Sequence, residues 1–291
     1  MEKINQHIEA PNEQMEAIYE SAIKQHPSLM EYGETRLKNI IVGDLGRIDA
    51  FEAAAIEDEK SHFAVTPEVA EKTGAIWVFS GPGTYEQPSK QQDTVYRNLA
   101  WTRWMDRDRL QRAAILARKI AEVRSGAKHN PSKHISAERR AQLKKMMGEY
   151  APQIIYNGAH SEDEVLKNVM SREGVIFPGE KVTIIDKEIL NTVDQMKTFE
   201  LPPEVTVDGK EVALISHAPH LDRILHFLSR YRPFSDNATA RLFPLPTLTE
   251  ARKEYTTMEI RAILYYIFLS PNKDANEDIY PYVLNKADTS P

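Results

Sequence analysis

The chain has 291 residues, a formal charge of −6 at neutral pH, 41% hydrophobic residues and 27% charged residues. This composition is ordinary for a folded globular protein and excludes a disordered chain, a collagen and a coiled-coil rod. The lack of cysteine excludes disulfides, iron–sulfur clusters, thiolate metal sites and a cysteine nucleophile. No signal peptide is visible, and the longest apolar run, Ile263–Leu269, is far shorter than the roughly 20 residues of a membrane-spanning helix. We therefore expect a soluble, cytoplasmic protein with no membrane partner.

Hydrophobic spacing predicts helices and strands that alternate along most of the chain. Residues 12–60 have a long, charged, helical pattern with few turn signals. The predicted strands, short and rich in β-formers, are Ala75–Ser80, Gln153–Tyr156, Val182–Ile185, Val212–Ser216 and Ala240–Leu245. The later predicted helices are Arg109–Arg124, Ala137–Met147, Ser161–Arg172, Leu190–Phe199, Leu221–Tyr231 and Thr249–Leu269. Pro244 and Pro246 predict that the fifth strand lies at an edge of the sheet.

Short apolar strands separated by helices indicate a parallel sheet that is covered on both faces. We therefore predict an α/β, three-layer Rossmann-like domain with a mainly parallel sheet over residues 71–270. A basic helical insertion is expected at about 125–150 within it. Residues 1–70 are predicted to form an N-terminal helical extension packed on this domain, and residues 271–291 a C-terminal tail.

Positive charge is concentrated in one block of the chain. Residues 97–145 contain 14 Lys and Arg against 4 Asp and Glu, so the rest of this acidic chain carries a net −16. A basic block can attract phosphates or nucleic acid. The block contains no nucleic-acid-binding motif, and a solvated helical face accounts for the same pattern. Nucleic-acid binding through residues 97–145 is therefore the weaker hypothesis.

Polar side chains cluster where four of the predicted strands end. In sheets of this class the ligand lies outside the carboxyl ends of the strands. The candidate residues there are Ser80, Gly81, Gly83, Asn157, Gly158, Glu162, Asn191, Thr192, Ser216, His217, His220 and Arg223. A purely structural sheet does not need polar groups at four separate strand ends. Their convergence predicts a binding cleft.

The chemistry of these residues suits an anionic ligand. Backbone amides of the Gly81/Gly83 loop and the Arg223 guanidinium can hold an anion. His220 is the candidate acid or base because histidine titrates near neutrality, and Glu162 is the candidate for binding hydroxyl groups or accepting a proton. Each residue also has a structural explanation, as part of a turn, a helix cap or an acidic first helical turn.

Several common types of site are not supported. No glycine follows Gly83 before Gly126, so the dinucleotide fingerprint is absent and a nicotinamide dehydrogenase is disfavoured. Neither a nucleophile elbow nor a Walker A motif is present. His217, His220 and Asp222 suggest a metal, but their spacing matches no zinc motif and further ligands would have to come from elsewhere in the chain. A divalent metal is therefore the less favoured alternative.

The ordered set of motifs resembles the SanA/YdcF/ElyC-like family, a domain of unknown function with a Rossmann-like fold. The resemblance spans roughly residues 75–245 and implies a bacterial-type protein of that fold. It also implies that Arg109, which opens a helix, belongs to the polar cleft. The matching segments are Ser80–Gly83, Arg109-Leu110, Asn157-Gly158, Ser161–Val165, Gly174-Val175, Asn191–Asp194 and Ser216–Arg223.

The sequence favours an enzyme of transferase or hydrolase type that acts on an anionic, nucleotide-like or phosphosugar-like small molecule. A nucleotide or S-adenosylmethionine-like cofactor fits the same cleft. The alternative is a non-catalytic ligand-binding or regulatory module that uses this cleft and transmits its signal through the helical extension and the basic block.

Overall fold

A six-stranded, all-parallel sheet lies at the centre of the molecule. The computed structural model describes residues 11–79, 102–127, 136–158 and 179–285, except positions 186, 188, 190, 204, 235, 236 and 250. The strands are β1 (Thr73–Phe79), β2 (Gln153–Asn157), β3 (Val182–Ile184), β4 (Glu211–His217), β5 (Thr239–Leu245) and β6 (Tyr282–Leu284). Their order across the sheet, 3-2-1-4-5-6, is that of a doubly wound Rossmann sheet. The predicted α/β, Rossmann-like fold class is confirmed.

Helices cover both faces of this sheet. They are α1 (Pro11–Gln25), α2 (Glu34–Lys60), α3 (Pro67–Lys72), α4 (Thr102–Ser125), α5 (Ala137–Tyr150), α6 (Thr192–Thr198), α7 (Ala218–Tyr231) and α8 (Arg252–Leu264). A π-helical turn at Tyr265–Leu269 continues α8, and 3₁₀ turns lie at Pro27–Tyr32 and Gly179–Lys181. The helical pattern of residues 12–60 is divided at Pro27, because a proline is disfavoured inside a helix.

Alternation along β1 explains why two separate cores form. Trp77 and Phe79 pack into one core together with α1, α2 and α6–α8, and Trp77 stacks on Phe199 at 3.8 Å between ring centroids. Ile76 and Val78 point to the other face and pack with α3, α4 and α5. Successive side chains of a strand point to opposite faces, so a strand buried on both faces is apolar throughout.

The N-terminal helices are part of one of these layers. Ile41, Ile48 and Phe51 of α2 are at most 1% exposed and belong to the same core as Trp77. Helix α2 lies against α7 and β5. The described part of segment 1–70 therefore packs on the sheet domain over a continuous apolar face.

The prediction that Ala240–Leu245 forms an edge strand is wrong. β5 pairs with β4 on one side and with β6 on the other. β6 comes from the segment predicted to be a tail, and the sequence analysis missed it because it is only three residues long. Its ladder ends opposite Leu242, so Pro244 lies beyond it and interrupts no hydrogen bond on that side.

One predicted element cannot be compared, because the helix expected at Ser161–Arg172 lies outside the described residues. Among the helices that the structure does describe, none combines the length and the apolar character that crossing a membrane requires.

Candidate functional site

The candidate site lies at the carboxyl ends of β1 and β4, the two central strands. From β1 the chain proceeds outward to β2 and β3, and from β4 it proceeds outward to β5 and β6. The change of direction between β1 and β4 is the topological switch point, where sheets of this class bind ligands. β1 ends at Phe79 and β4 ends at His217, which is followed directly by α7. The fold thus gathers polar groups from β4, α4, α6, α7 and α8 near one point.

Arg109 of α4 is buried and connects the ends of both central strands. Its Nε–H donates to Nδ1 of His217 at 3.1 Å, and its Nη1–H donates to the carbonyl oxygen of Phe79 at 3.0 Å. Its Nη2 lies 3.5 Å from the hydroxyl of Tyr255. The structure therefore places Arg109 at the carboxyl ends of both central strands, in contact with His217 and Tyr255.

His217 is held in its neutral form. Because Nδ1 accepts a hydrogen bond from Arg109, the neutral ring carries its proton on Nε2. Burial and then the positive charge of Arg109 lower the pKa of His217 well below its usual value. At neutral pH this imidazole is uncharged.

His220 lies one helical turn further on, between two hydroxyl groups. Its Nδ1 is 3.0 Å from Oγ of Ser216, and its Nε2 is 3.4 Å from Oγ1 of Thr192. Burial, followed by the charges of Arg223 and Arg109, lowers the pKa of His220 well below its usual value. A neutral imidazole beside hydroxyl groups can accept a proton and return it.

Two residues of α8, Tyr255 and Glu259, complete the network and were missed by the sequence analysis. Arg223 Nε lies 2.7 Å from Oε2 of Glu259, and the Tyr255 hydroxyl donates to the same carboxylate. Burial is the largest cause that raises the pKa of Glu259 and of Tyr255. Their spacing, four residues apart on one face of a helix, was the available signal, but it does not distinguish a site from an ordinary buried pair.

The residues predicted after β2 and β3 lie at the same end of the sheet, where they hold α6 in place. Asn157 donates from Nδ2 to the carbonyl of Gln195 at 2.7 Å, and Gln195 returns a bond to the Asn157 carbonyl at 2.8 Å. Asn191 caps α6 by accepting from the amide of Asp194 at 3.1 Å, while Thr192 faces His220. Gly158 is buried directly after β2.

Some predicted site residues lie outside the described part of the chain. They are Ser80, Gly81 and Gly83 of the glycine loop after β1, and Glu162 at the start of the predicted helix. The proposed anion contact of the loop and the catalytic role of Glu162 thus remain predictions.

Asp222 does not join His217 and His220, although the sequence analysis considered these three as metal ligands. Its Oδ1 accepts from Nε of Arg47 on α2 at 2.6 Å, in a separate polar cluster between α2 and α7. Burial and the neighbouring carboxylate of Asp44 raise the pKa of Asp222 to about 7. The structure therefore divides the short segment 217–226 between two polar clusters.

Only some of the basic side chains in residues 97–145 lie on the protein surface. Arg109 and Arg112 of α4 are buried, and Arg124 donates to the carbonyl oxygens of Ala70 and Tyr150 at 2.9 and 3.0 Å. On α5 the basic side chains are exposed; they are Arg139, Arg140, Lys144 and Lys145. Two of the arginines that suggested nucleic-acid binding are therefore used inside the fold.

Comparisons with known proteins add no assignment to this geometry. The chain matches neither a protein-family model, nor a curated protein, nor a solved structure. The fold and the switch-point cluster therefore define the class, a Rossmann-like α/β protein.

Proposed function

We propose that this protein binds an anionic small molecule at the carboxyl ends of β1 and β4 and acts on it as a transferase or hydrolase. The observation that carries the proposal is the placement of two guanidinium groups and two neutral imidazoles at the switch point of the sheet. A nucleotide-like or phosphosugar-like ligand fits this charge. The resemblance to the SanA/YdcF/ElyC-like family and a cytoplasmic, bacterial-type setting belong to the same proposal.

The two arginines have different roles in this proposal. Arg223 has 17% of its side chain exposed, so its guanidinium is the one that a ligand can reach, and it binds the anion. Arg109 is enclosed, and it acts as a positioning residue that fixes the tautomer of His217. The Glu259 carboxylate contacts Nε of Arg223 and orients its guanidinium.

His220 is the proposed acid/base residue. Its Nε2 contact to Thr192, at 3.4 Å, is near the upper limit of a hydrogen bond, so a ligand atom can compete for this nitrogen. Ser216 holds the opposite ring nitrogen at 3.0 Å and keeps the ring in place. Glu162 remains the proposed partner that binds ligand hydroxyls.

The first experiment is a thermal-shift screen with nucleotides, nucleotide sugars, sugar phosphates and S-adenosylmethionine. A compound at 100 times its dissociation constant stabilises the folded state by about 2.7 kcal/mol, which for a chain of this size raises Tm by roughly 5–10 °C. If no compound shifts the Tm of the folded wild-type protein, the proposal is wrong.

One variant and a matched control then locate the site. Arg223→Gln is expected to weaken binding of the compound found by about 10- to 100-fold, the loss of one charge-assisted hydrogen bond. The control is Lys72→Gln, because Lys72 forms an exposed ion pair with Glu68 directly before β1, at the opposite end of the parallel sheet, and the affinity of this variant should equal that of wild type. Equal weakening in both variants would contradict the site.

The His220→Gln variant separates an enzyme from a binding module. For an enzyme, this variant binds the compound but loses turnover, measured by product formation over time. A compound recovered unchanged after long incubation with wild-type protein would favour the non-catalytic, regulatory alternative.

A further inference from the structure

A second polar cluster lies in the interface between α2 and α7, away from the candidate site. Asp44 comes from α2, whereas Asp222 and His226 lie one turn apart on α7. All three are at most 1% exposed, and each offers a ligand atom within 4.8 Å of the other two. Nothing in the proposed function uses these groups.

Each of the two carboxylates in this cluster has one oxygen with a partner among the described residues and one oxygen without. Oδ2 of Asp44 and Oδ2 of Asp222 are buried and accept no hydrogen bond from any described residue. One guanidinium, that of Arg47, contacts both carboxylates. Two buried carboxylates with free oxygens are costly unless a further cation or donor faces them.

His226 is oriented as a ligand histidine would be. Its Nδ1 lies 2.6 Å from the backbone carbonyl of Asn276, and a carbonyl can only accept, so Nδ1 carries a proton. The opposite nitrogen, Nε2, faces the cluster 3.2 Å from Oδ1 of Asp44. Metal-binding histidines are commonly fixed in this way, by donating their other ring N–H to a carbonyl.

A route into the cluster is present. A surface cavity of about 590 Å³ is lined by Asp44 and Arg47, with Asn39, Gly43 and Glu277 among its other walls. The Arg47 side chain is 23% exposed, so it can turn outward into this cavity. The cavity therefore reaches Asp44 and the Arg47 side chain that contacts both carboxylates.

We propose that Asp44, Asp222 and His226 bind a divalent cation of the Zn²⁺ or Mn²⁺ class in place of the Arg47 guanidinium. One imidazole and two carboxylates suit these ions, and remaining coordination positions are filled by water from the cavity. The cation neutralises both carboxylates and ties α2 to α7. When the ion is absent, Arg47 contacts Oδ1 of both carboxylates.

The test measures binding of Mn²⁺ by the loss of its free-ion electron paramagnetic resonance signal, and of Zn²⁺ by competition. Metal-free wild-type protein is expected to take up one ion per chain. Asp222→Asn and His226→Gln should each weaken binding at least about tenfold, since even changes outside the ligand set cost about 10- to 100-fold. Glu52→Gln is the matched control, because this buried carboxylate on α2 already accepts from the Thr247 amide with both oxygens.

Arg47→Met distinguishes a metal site from a purely structural ion pair. Because the guanidinium and the cation compete for the same two carboxylates, this variant should bind the ion more tightly than wild type by at least about tenfold. Wild-type protein that takes up no ion at millimolar Mn²⁺ or Zn²⁺ would overturn the proposal. So would uptake that Asp222→Asn and His226→Gln leave unchanged.

Discussion

The protonation state of His217 is set by what surrounds it. The ring is buried, and Arg109 donates to the one nitrogen that could otherwise accept a proton in the folded state. The unfolded chain has no such restriction and takes up the proton near pH 6.5, the ordinary histidine value. Protonation therefore favours unfolding as the pH falls below this value.

The difference in the pKa of His217 between the folded and unfolded states predicts that His217→Gln changes the pH dependence of the unfolding free energy. The glutamine oxygen can still accept from Arg109 but cannot titrate. Between pH 6.5 and pH 5, the unfolding free energy of wild type should fall by about 1–2 kcal/mol more than that of the variant, since one group contributes up to about 1.4 kcal/mol per pH unit. Urea denaturation across this range measures the difference, and other titrating groups are common to both proteins. Parallel pH profiles would show that His217 is not held neutral.

At the scale of elements, a buried ion pair joins α2 to α4. Asp58 near the end of α2 contacts Arg112 of α4, and both side chains are at most 3% exposed. Arg112 also lies over the ring of Phe63, with 4.4 Å from Cζ to the ring centroid. Removing one partner of such a pair leaves a buried charge without its counter-ion.

Two Asp→Asn substitutions on α2 test this connection. Asp58→Asn is expected to lower the unfolding free energy by about 3–5 kcal/mol, because the Arg112 guanidinium stays buried. Asp49→Asn breaks the exposed pair with Arg252 and should change stability by no more than about 1 kcal/mol. Urea denaturation of both variants, with similar m-values, provides the comparison. Similar losses of unfolding free energy in the two variants would mean that the buried Asp58–Arg112 pair stabilises the fold no more than the exposed Asp49–Arg252 pair does.

At the scale of the whole molecule, the N-terminal helices and the sheet share one core. Ile41 and Phe51 of α2 pack in one core with Trp77 of β1, and Asp44 and Asp58 contact His226 on α7 and Arg112 on α4. Removal of α1 and α2 would expose apolar surface and leave Arg112 and Asp222 without their partners. We therefore expect these helices to be required for the fold.

Deletion of residues 1–60 should abolish cooperative folding. We expect no calorimetric unfolding transition and no near-ultraviolet circular dichroism signal from the stacked Trp77 and Phe199 rings. A truncated chain that unfolds cooperatively at a Tm close to that of the intact chain would show a detachable extension.

Local signals in the sequence were sufficient to predict the fold class and most of the secondary structure of the described residues. Apolar runs and helical spacing are local signals, so β1, β2, β4 and α5 were predicted close to their observed bounds, whereas α4 begins seven residues before its predicted start at Arg109. The strand ends also directed attention to His217, His220 and Arg223, because parallel strands bring their carboxyl ends to one edge of the sheet.

Which of these polar groups contact one another depends on the tertiary packing. In the folded protein β6 pairs with β5, and Tyr255 and Glu259 lie in the candidate site. Asp222 instead contacts Arg47, which is 175 residues earlier in the chain. Such partners carry no local signature, because a buried charge is satisfied by whatever group packing brings against it, at any separation along the chain. Residue type and local spacing therefore predicted which polar residues follow the strands. The packing of α2, α7 and α8 on the sheet set the hydrogen-bond partners and the protonation of those residues.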